Sequence, residues 1–256
     1  MNKNEFINYF NEYDDKNSIS LLYDKFLLAN KTNKELFTNE FYPPYIWSKV
    51  SRLANNHSIA LKTEGIFELS ERRLIGFNVD QYSLFPMKVL KIENKSKFSI
   101  LSHKDYLGAI MALGIKRNKF GDFIVNENCC YTVVHEDIYE YVLTNLNKIG
   151  NSSCKVSLIE NLELLPQVSF NRQIILVSSD RIDCVISSIC NISRSKAQDL
   201  VASSKVMINY IEINEKDVLI KEKDIITVRG YGKFRIGENI GTSLKGKLRK
   251  EILKYV

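Results

Sequence analysis

Arg229, Tyr231, Lys233 and Arg235 alternate along one stretch, with Gly230, Gly232, Phe234 and Ile236 between them. On a β-strand this spacing makes one face apolar and the other cationic with an aromatic inserted. Such a face can hold phosphates and stack on a base or sugar. A row of cations on an edge strand also guards against edge-to-edge aggregation, so both readings stand. A second gathering of cations, Lys116, Arg117 and Lys119, follows a helical stretch. It reads equally as a phosphate clamp and as cationic capping of a helix C-terminus.

The elements that position the first group begin near Arg181. Ile182, Val185, Ile186 and Ile189 fall at helical spacing and predict one short helix. Asn191 interrupts the pattern, and Ser193 can N-cap a second helix whose Ala197, Leu200 and Val201 face inward. Residues 206–213 and 224–236 are rich in Ile and Val at strand-like spacing. Arg194 and Lys196 read either as anion contacts or as a solvated helix face. Charge favours the first: Arg181–Val256 holds 15 Lys and Arg against 9 Asp and Glu, whereas residues 1–180 hold 21 of each. The whole net charge of +6 therefore sits in the C-terminal stretch, which points to nucleic acid.

Arg181-Ile-Asp-Cys-Val185, Ser193-Arg-Ser-Lys-Ala-Gln-Asp-Leu-Val201, Lys205-Val-Met-Ile-Asn209, and Lys221 through Asp224 to Arg229-Gly230 together resemble the S-four-type RNA-binding domain, named after the small-subunit ribosomal protein. The resemblance implies two helices and neighbouring strands that recognise structured RNA. It places Arg181 and Asp183 at the first helix start, Ser193, Arg194 and Lys196 at the second, and Lys205 in the next turn. Two positions depart from the family. Ser204 stands where Gly is usual, at a helix end that favours a left-handed residue. Asn209-Tyr210 replaces Asn-Gly; Tyr resists positive φ, so a longer hairpin or another turn type is expected there.

With 256 residues and 45% hydrophobic content, the chain can build two or three packed domains. The first, residues 1–80, is an α/β unit with helices expected at 4–13 and 18–31 and from Pro43-Pro44 onward, and strands at 58–62 and 74–79. Arg72 and Arg73 can touch RNA or pair locally with Glu68 and Glu71. Trp47 reads as core. Residues 242–256 fit either helix or strand.

Residues 81–165 show the order β-α-β-β-α-β, with strands near 84–92, 121–125, 130–135 and 154–160 and helices at 102–113 and 137–147. This is the ferredoxin-like arrangement shared by RNA-recognition modules. The aromatic-rich motif of their strands is missing, since Tyr131 is the only aromatic of the third strand. The run from Leu101 through His103-Lys-Asp105 and Leu113-Gly-Ile-Lys116-Arg117 to Gly121-Asp122 resembles the signature of the YlmH family. The resemblance spans nearly the whole chain and tips Lys116, Arg117 and Lys119 toward RNA. It implies an α+β protein with an N-terminal α/β unit, a ferredoxin-like middle domain and an S-four-type domain at 176–256.

Function classes narrow accordingly. No 18-residue apolar run and no signal-peptide order is present, so no membrane anchoring and a cytoplasmic location are expected. Five cysteines without a Cys-x-x-Cys pair and three scattered histidines suggest reduced thiols and no metal. His103 and His135 lie beside carboxylates but read as structural. The sequence contains no nucleophile elbow, phosphate-binding Gly-Lys-Ser/Thr or dinucleotide turn, so neither catalysis nor a cofactor is expected. The competing class is an RNA-modifying enzyme, pseudouridine synthase-like, that docks through its C-terminal domain. The YlmH resemblance implies instead a non-catalytic protein, monomeric off the ribosome, that contacts ribosomal RNA and tRNA on the large subunit during quality control of stalled nascent chains.

Overall fold

Asn2 and Asp15 start the first two helices by accepting free backbone N–H groups, from Glu5 at 2.9 Å and Ser18 at 3.0 Å. The computed structural model describes residues 1–11, 13–67, 70–96, 99–166 and 170–255, which form two compact units, Met1–Pro166 and Gln167–Val256.

In the first unit, α1 (Lys3–Tyr9), α2 (Lys16–Thr32) and α3 (Pro44–Asn56) pack on an antiparallel sheet of β1 (Leu36–Phe37), β2 (Leu61–Glu64) and β3 (Leu74–Phe77), ordered β1-β3-β2. Phe6, Phe10, Ile19, Leu22, Ile46 and Val50 are fully buried between them. Helix α1 stops short of the expected Tyr13 because the chain turns at Phe10, whose ring enters this core. Strand β2 starts later than expected because Ser58 adopts φ 55°, which a strand cannot contain. Trp47 packs partly buried against the cluster and donates to the Glu71 carbonyl at 2.7 Å.

The same unit holds β4 (Met87–Asn94), α4 (His103–Ala112), β5 (Phe120–Asn126), β6 (Cys129–His135), α5 (Tyr139–Asn145), β7 (Lys148–Ile149) and β8 (Ser152–Ile159). The sheet order is β5-β6-β4-β8-β7 and every pairing is antiparallel. Apart from the short edge strand β7, this is the ferredoxin-like order expected from the sequence. Ser102 and Asp105 cap α4, the carboxylate accepting the Ser102 N–H and O–H at 2.7 Å each. Helices α4 and α5 cover one sheet face through Tyr106, Ile110 and Val142, which meet Leu90, Ile92, Phe120 and Val134.

In the second unit, β9 (Phe170–Val177), α6 (Ile182–Ile189), α7 (Arg194–Ala202), β10 (Val206–Ile208), β11 (Ile211–Glu212), β12 (Ile225–Val228), β13 (Gly232–Thr242) and β14 (Leu248–Tyr255) form a six-stranded antiparallel sheet with both helices on one face. Its order is β11-β10-β12-β13-β14-β9. Ile182, Val185, Ile186, Ala197 and Val201 meet Val206, Ile226, Phe234, Ile236 and Ile252 across that face. Residues 248–255 are strand, and they pair with all of β9 from Leu248↔Val177 to Tyr255↔Phe170. The unit therefore begins ahead of residue 176: a cut there would remove most of β9, including the buried Ile175.

Two expectations about turns are corrected. The hairpin of β10 and β11 is neither long nor of another type, because Ile208 pairs with Ile211 and only Asn209 (φ 50°) and Tyr210 (φ 65°) intervene. Two successive positive φ values are the mark of the tight type I′ turn. Side-chain bonds from Asn209 hold it, to the Asp224 carboxylate at 2.8 Å and from the Ile225 N–H at 2.9 Å. Residues 229–236 are likewise not one strand: Val228 pairs with Gly232, so Arg229-Gly230-Tyr231 is the turn between β12 and β13.

Ser204 takes φ 53° at the end of α7, where the Lys205 N–H reaches the Leu200 carbonyl and the Ser204 N–H that of Val201, each at 3.0 Å. This is the Schellman arrangement, in which Gly is favoured. Ser204→Gly is therefore expected to stabilise the protein by about 0.5–1 kcal/mol, read as a raised melting temperature.

Candidate nucleic-acid interface

The focus of the second unit is a carboxylate with no exposed side-chain surface. Asp183, in the first turn of α6, accepts from Arg181 Nε at 3.2 Å, Arg194 Nε at 3.0 Å and Gln198 Nε2 at 2.8 Å. Burial raises its carboxyl pKa, but the hydrogen bonds from Arg181, Gln198 and Arg194 outweigh that and hold it well below the usual carboxylate range. The geometry follows from the helix starts: Arg181 is the N-cap of α6, while Arg194 and Gln198 lie one turn apart on α7. Two guanidiniums thus converge on one negative charge. The arginine side chains keep 33% and 52% of their surface, so N–H groups beyond those bound to Asp183 remain available to an anion. An exposed, charged group that is already fixed loses little entropy on binding. Gln198 was not among the expected site residues; its one-turn spacing from Arg194 is the signal that could have found it.

The other expected residues distribute around this focus. Ser193 is the N-cap of α7 and accepts the Lys196 N–H at 3.2 Å, which gives its hydroxyl oxygen a structural task. The Lys196 side chain is exposed on the same first turn. Lys205 and Arg229 are exposed neighbours at the far end of α7, joined by an N–H···O bond of 2.9 Å from Arg229 to the Lys205 carbonyl. Lys233 and Arg235 alternate with the buried Phe234 and Ile236 and so lie on the sheet face away from the helices. Lys233 Nζ sits 4.5 Å from the Tyr210 ring centre. Tyr231 packs partly buried against the core.

In the first unit, Lys116, Arg117 and Lys119 do not act alike. Arg117 donates to the carbonyls of Phe120 (2.7 Å) and Gly121 (3.1 Å) and lies over the Phe120 ring. Burial pulls its guanidinium pKa down to about 10, so it stays charged at neutral pH. Lys119 bonds Asp137 at 2.5 Å and the Asn39 carbonyl at 3.1 Å. Lys116 is exposed and has no partner among the described residues. Arg72 donates to the Phe41 carbonyl and Arg73 to that of Ser70; Glu68 lies outside the described residues.

The second face of the ferredoxin-like sheet, on which RNA-recognition modules stack bases, is covered. Val89, Tyr131 and Val133 pack against Phe41, Ile66, Leu74 and Phe85. Only 9% of Tyr131 is exposed, and Val133 is fully buried. Gly121 permits the approach: a Cβ there would lie 2.5 Å from Val133 Cγ1 and 3.4 Å from the Phe41 ring. Asp122 completes the seam by accepting the Glu71 and Arg72 backbone N–H groups.

Among the described residues no group of His, Cys, Asp and Glu side chains could hold a metal, and no helix is long and apolar enough to cross a membrane. Comparison with known proteins adds three observations. Residues 81–163 match the family described as "Putative RNA-binding domain in YlmH". The "Ribosome-associated protein quality control protein P2" of Bacillus subtilis (strain 168) is 28% identical over 217 residues, 83% of this chain and 82% of that protein. The solved "Cell division protein ylmH from Streptococcus pneumoniae" is 22% identical with a TM-score of 0.49, covering 60% of this chain and 95% of that one. The stretch of this chain that matches the YlmH RNA-binding family is thus its ferredoxin-like domain, residues 81–163.

Proposed function

We propose that the protein is a non-catalytic, cytoplasmic RNA-binding protein that grips ribosomal RNA and tRNA on the large ribosomal subunit and serves quality control of stalled nascent chains. The observation that carries the RNA-binding part is the pair Arg181 and Arg194, fixed on the buried Asp183 and still open to solvent. Such a pair can bind phosphate oxygens in a planar, bidentate manner, with Lys196 on the first turn of α7 and Lys205 and Arg229 beyond that helix's C-terminal end. The match of residues 81–163 to an RNA-binding domain supports the same reading, and the name of the Bacillus subtilis relative supports the ribosomal setting. With the stacking face of the ferredoxin-like sheet covered, the contribution of that domain runs through its rim, where Lys116 is exposed while Arg117 and Lys119 are partly buried.

Density-gradient profiles of cell extracts test the setting. The wild-type chain is expected to travel with large ribosomal subunits, most strongly with those that retain peptidyl-tRNA. Arg181→Ala/Arg194→Ala is expected to shift to the soluble fractions. A wild-type chain found only in the soluble fractions, at low and moderate salt alike, would defeat the proposal.

A further inference from the structure

The β13–β14 hairpin carries a surface that the helix face does not use. Past Ile236 the pairing of the two strands is irregular, and Glu238, Asn239, Ile240, Gly241 and Thr242 are exposed. The hairpin closes in a tight tip, with the Ser243 N–H on the Lys247 carbonyl at 2.8 Å and the Lys247 N–H on Ser243 Oγ at 3.0 Å. Leu244 projects from this tip fully exposed. Behind it lies a groove of about 730 Å³ floored by Ile174 and Leu176, which are 58% and 47% exposed. Lys245, Lys247 and Arg249 rim the groove, and no carboxylate lines it. Ile174 and Leu176 alternate with the buried Ile175 and Val177, so the groove is on the sheet face opposite α6 and α7.

We propose that this hairpin tip is a second RNA contact, seated in the minor groove of an RNA helix. The proposal rests on the RNA-binding reading above. The RNA minor groove is wide and shallow and presents ribose hydroxyls between two phosphate rows. A narrow ribbon fits that shape, with Leu244 against the riboses and Lys245, Lys247 and Arg249 toward the phosphates. Three cations around a groove that no carboxylate lines complement a polyanion, and apolar side chains also enter the minor groove of DNA, there as wedges between base steps.

The test uses the full-length protein on purified ribosomal subunits, with the photo-reactive p-benzoylphenylalanine replacing either Leu244 at the tip or the exposed Ser195 on α7. RNA adducts from both positions are expected. Adducts to RNA from Ser195, with only protein adducts or none from Leu244, overturn the hairpin proposal and leave the helix face standing. RNA adducts from Leu244 alone uphold the hairpin and remove the helix face. No RNA adduct from either position ends both. Lys245→Glu/Lys247→Glu is expected to weaken RNA binding at least tenfold, and unchanged affinity overturns the proposal.

Discussion

Asp183→Asn is expected to weaken RNA binding about tenfold, ~1.4 kcal/mol, although the substitution makes the protein more positive. An added positive charge would by itself strengthen attraction to a polyanion. The loss is expected because Asp183 holds Arg181 and Arg194 in place through bonds of 3.2 and 3.0 Å. An asparagine places an NH2 where one oxygen stood, facing donors. The fold suffers too, since breaking a buried charged network costs several kcal/mol when a charge is left stranded. Both arginines reach water, which reduces the expected cost to about 2 kcal/mol. Hydrogen exchange at the amides of α6 and α7 reads this locally. Stronger RNA binding by the variant would show that net charge, not placement, governs the interaction.

The pH dependence of this network has a definite sign. The folded-state pKa of Asp183 is depressed, so its contribution is complete above the ordinary carboxylate value of about 4 and is lost as pH falls through the lower folded value.

Tyr131→Ala is the second large effect. In an RNA-recognition module an aromatic at this strand position stacks on a base, and its removal weakens binding while sparing the fold. Here Tyr131 lies in a cluster with Phe41, Leu74 and Val133, so truncation is expected to cost about 3 kcal/mol of stability. RNA affinity of the folded fraction should not change. Thermal melts and binding curves on one preparation decide the matter. A variant that melts like wild type yet binds RNA poorly would mean that this sheet face is open to RNA.

Much of this architecture was legible because its signals are local. The apolar stripes of α6 and α7, the Ser193 cap and the ferredoxin-like order follow from spacings within a few residues. What covers the ferredoxin-like sheet was not legible, since the covering residues, Phe41 and Leu74, are remote in sequence. A trace of it exists: Cys130-Tyr-Thr-Val-Val-His135 is buried at every position, the mark of a strand enclosed on both faces. The pairing of β9 with β14 joins Val177 to Leu248 and has no local signature, so the sequence alone points to a later start for the second unit. The alternation from Arg229 to Arg235 suggests one strand because a Gly-rich turn and a strand share that pattern over so short a run. The Arg181–Asp183 pair, two residues apart, is legible, but the links from α7 to Asp183 are not, for a related reason. Sequence separates Asp183 from Gln198 by fifteen residues, and only the packing of α6 on α7 brings them to 2.8 Å.

The central claim is that Arg181 and Arg194 neutralise RNA phosphates, and the salt dependence of binding measures this most directly. Each phosphate contact contributes roughly 0.7–0.9 to the slope of log affinity against log salt. For the full-length protein and a structured ribosomal RNA, Arg181→Ala/Arg194→Ala is expected to lower that slope by about 1.4–1.8 and to reduce affinity at every salt concentration. A double variant that remains folded and gives the wild-type slope would contradict the account.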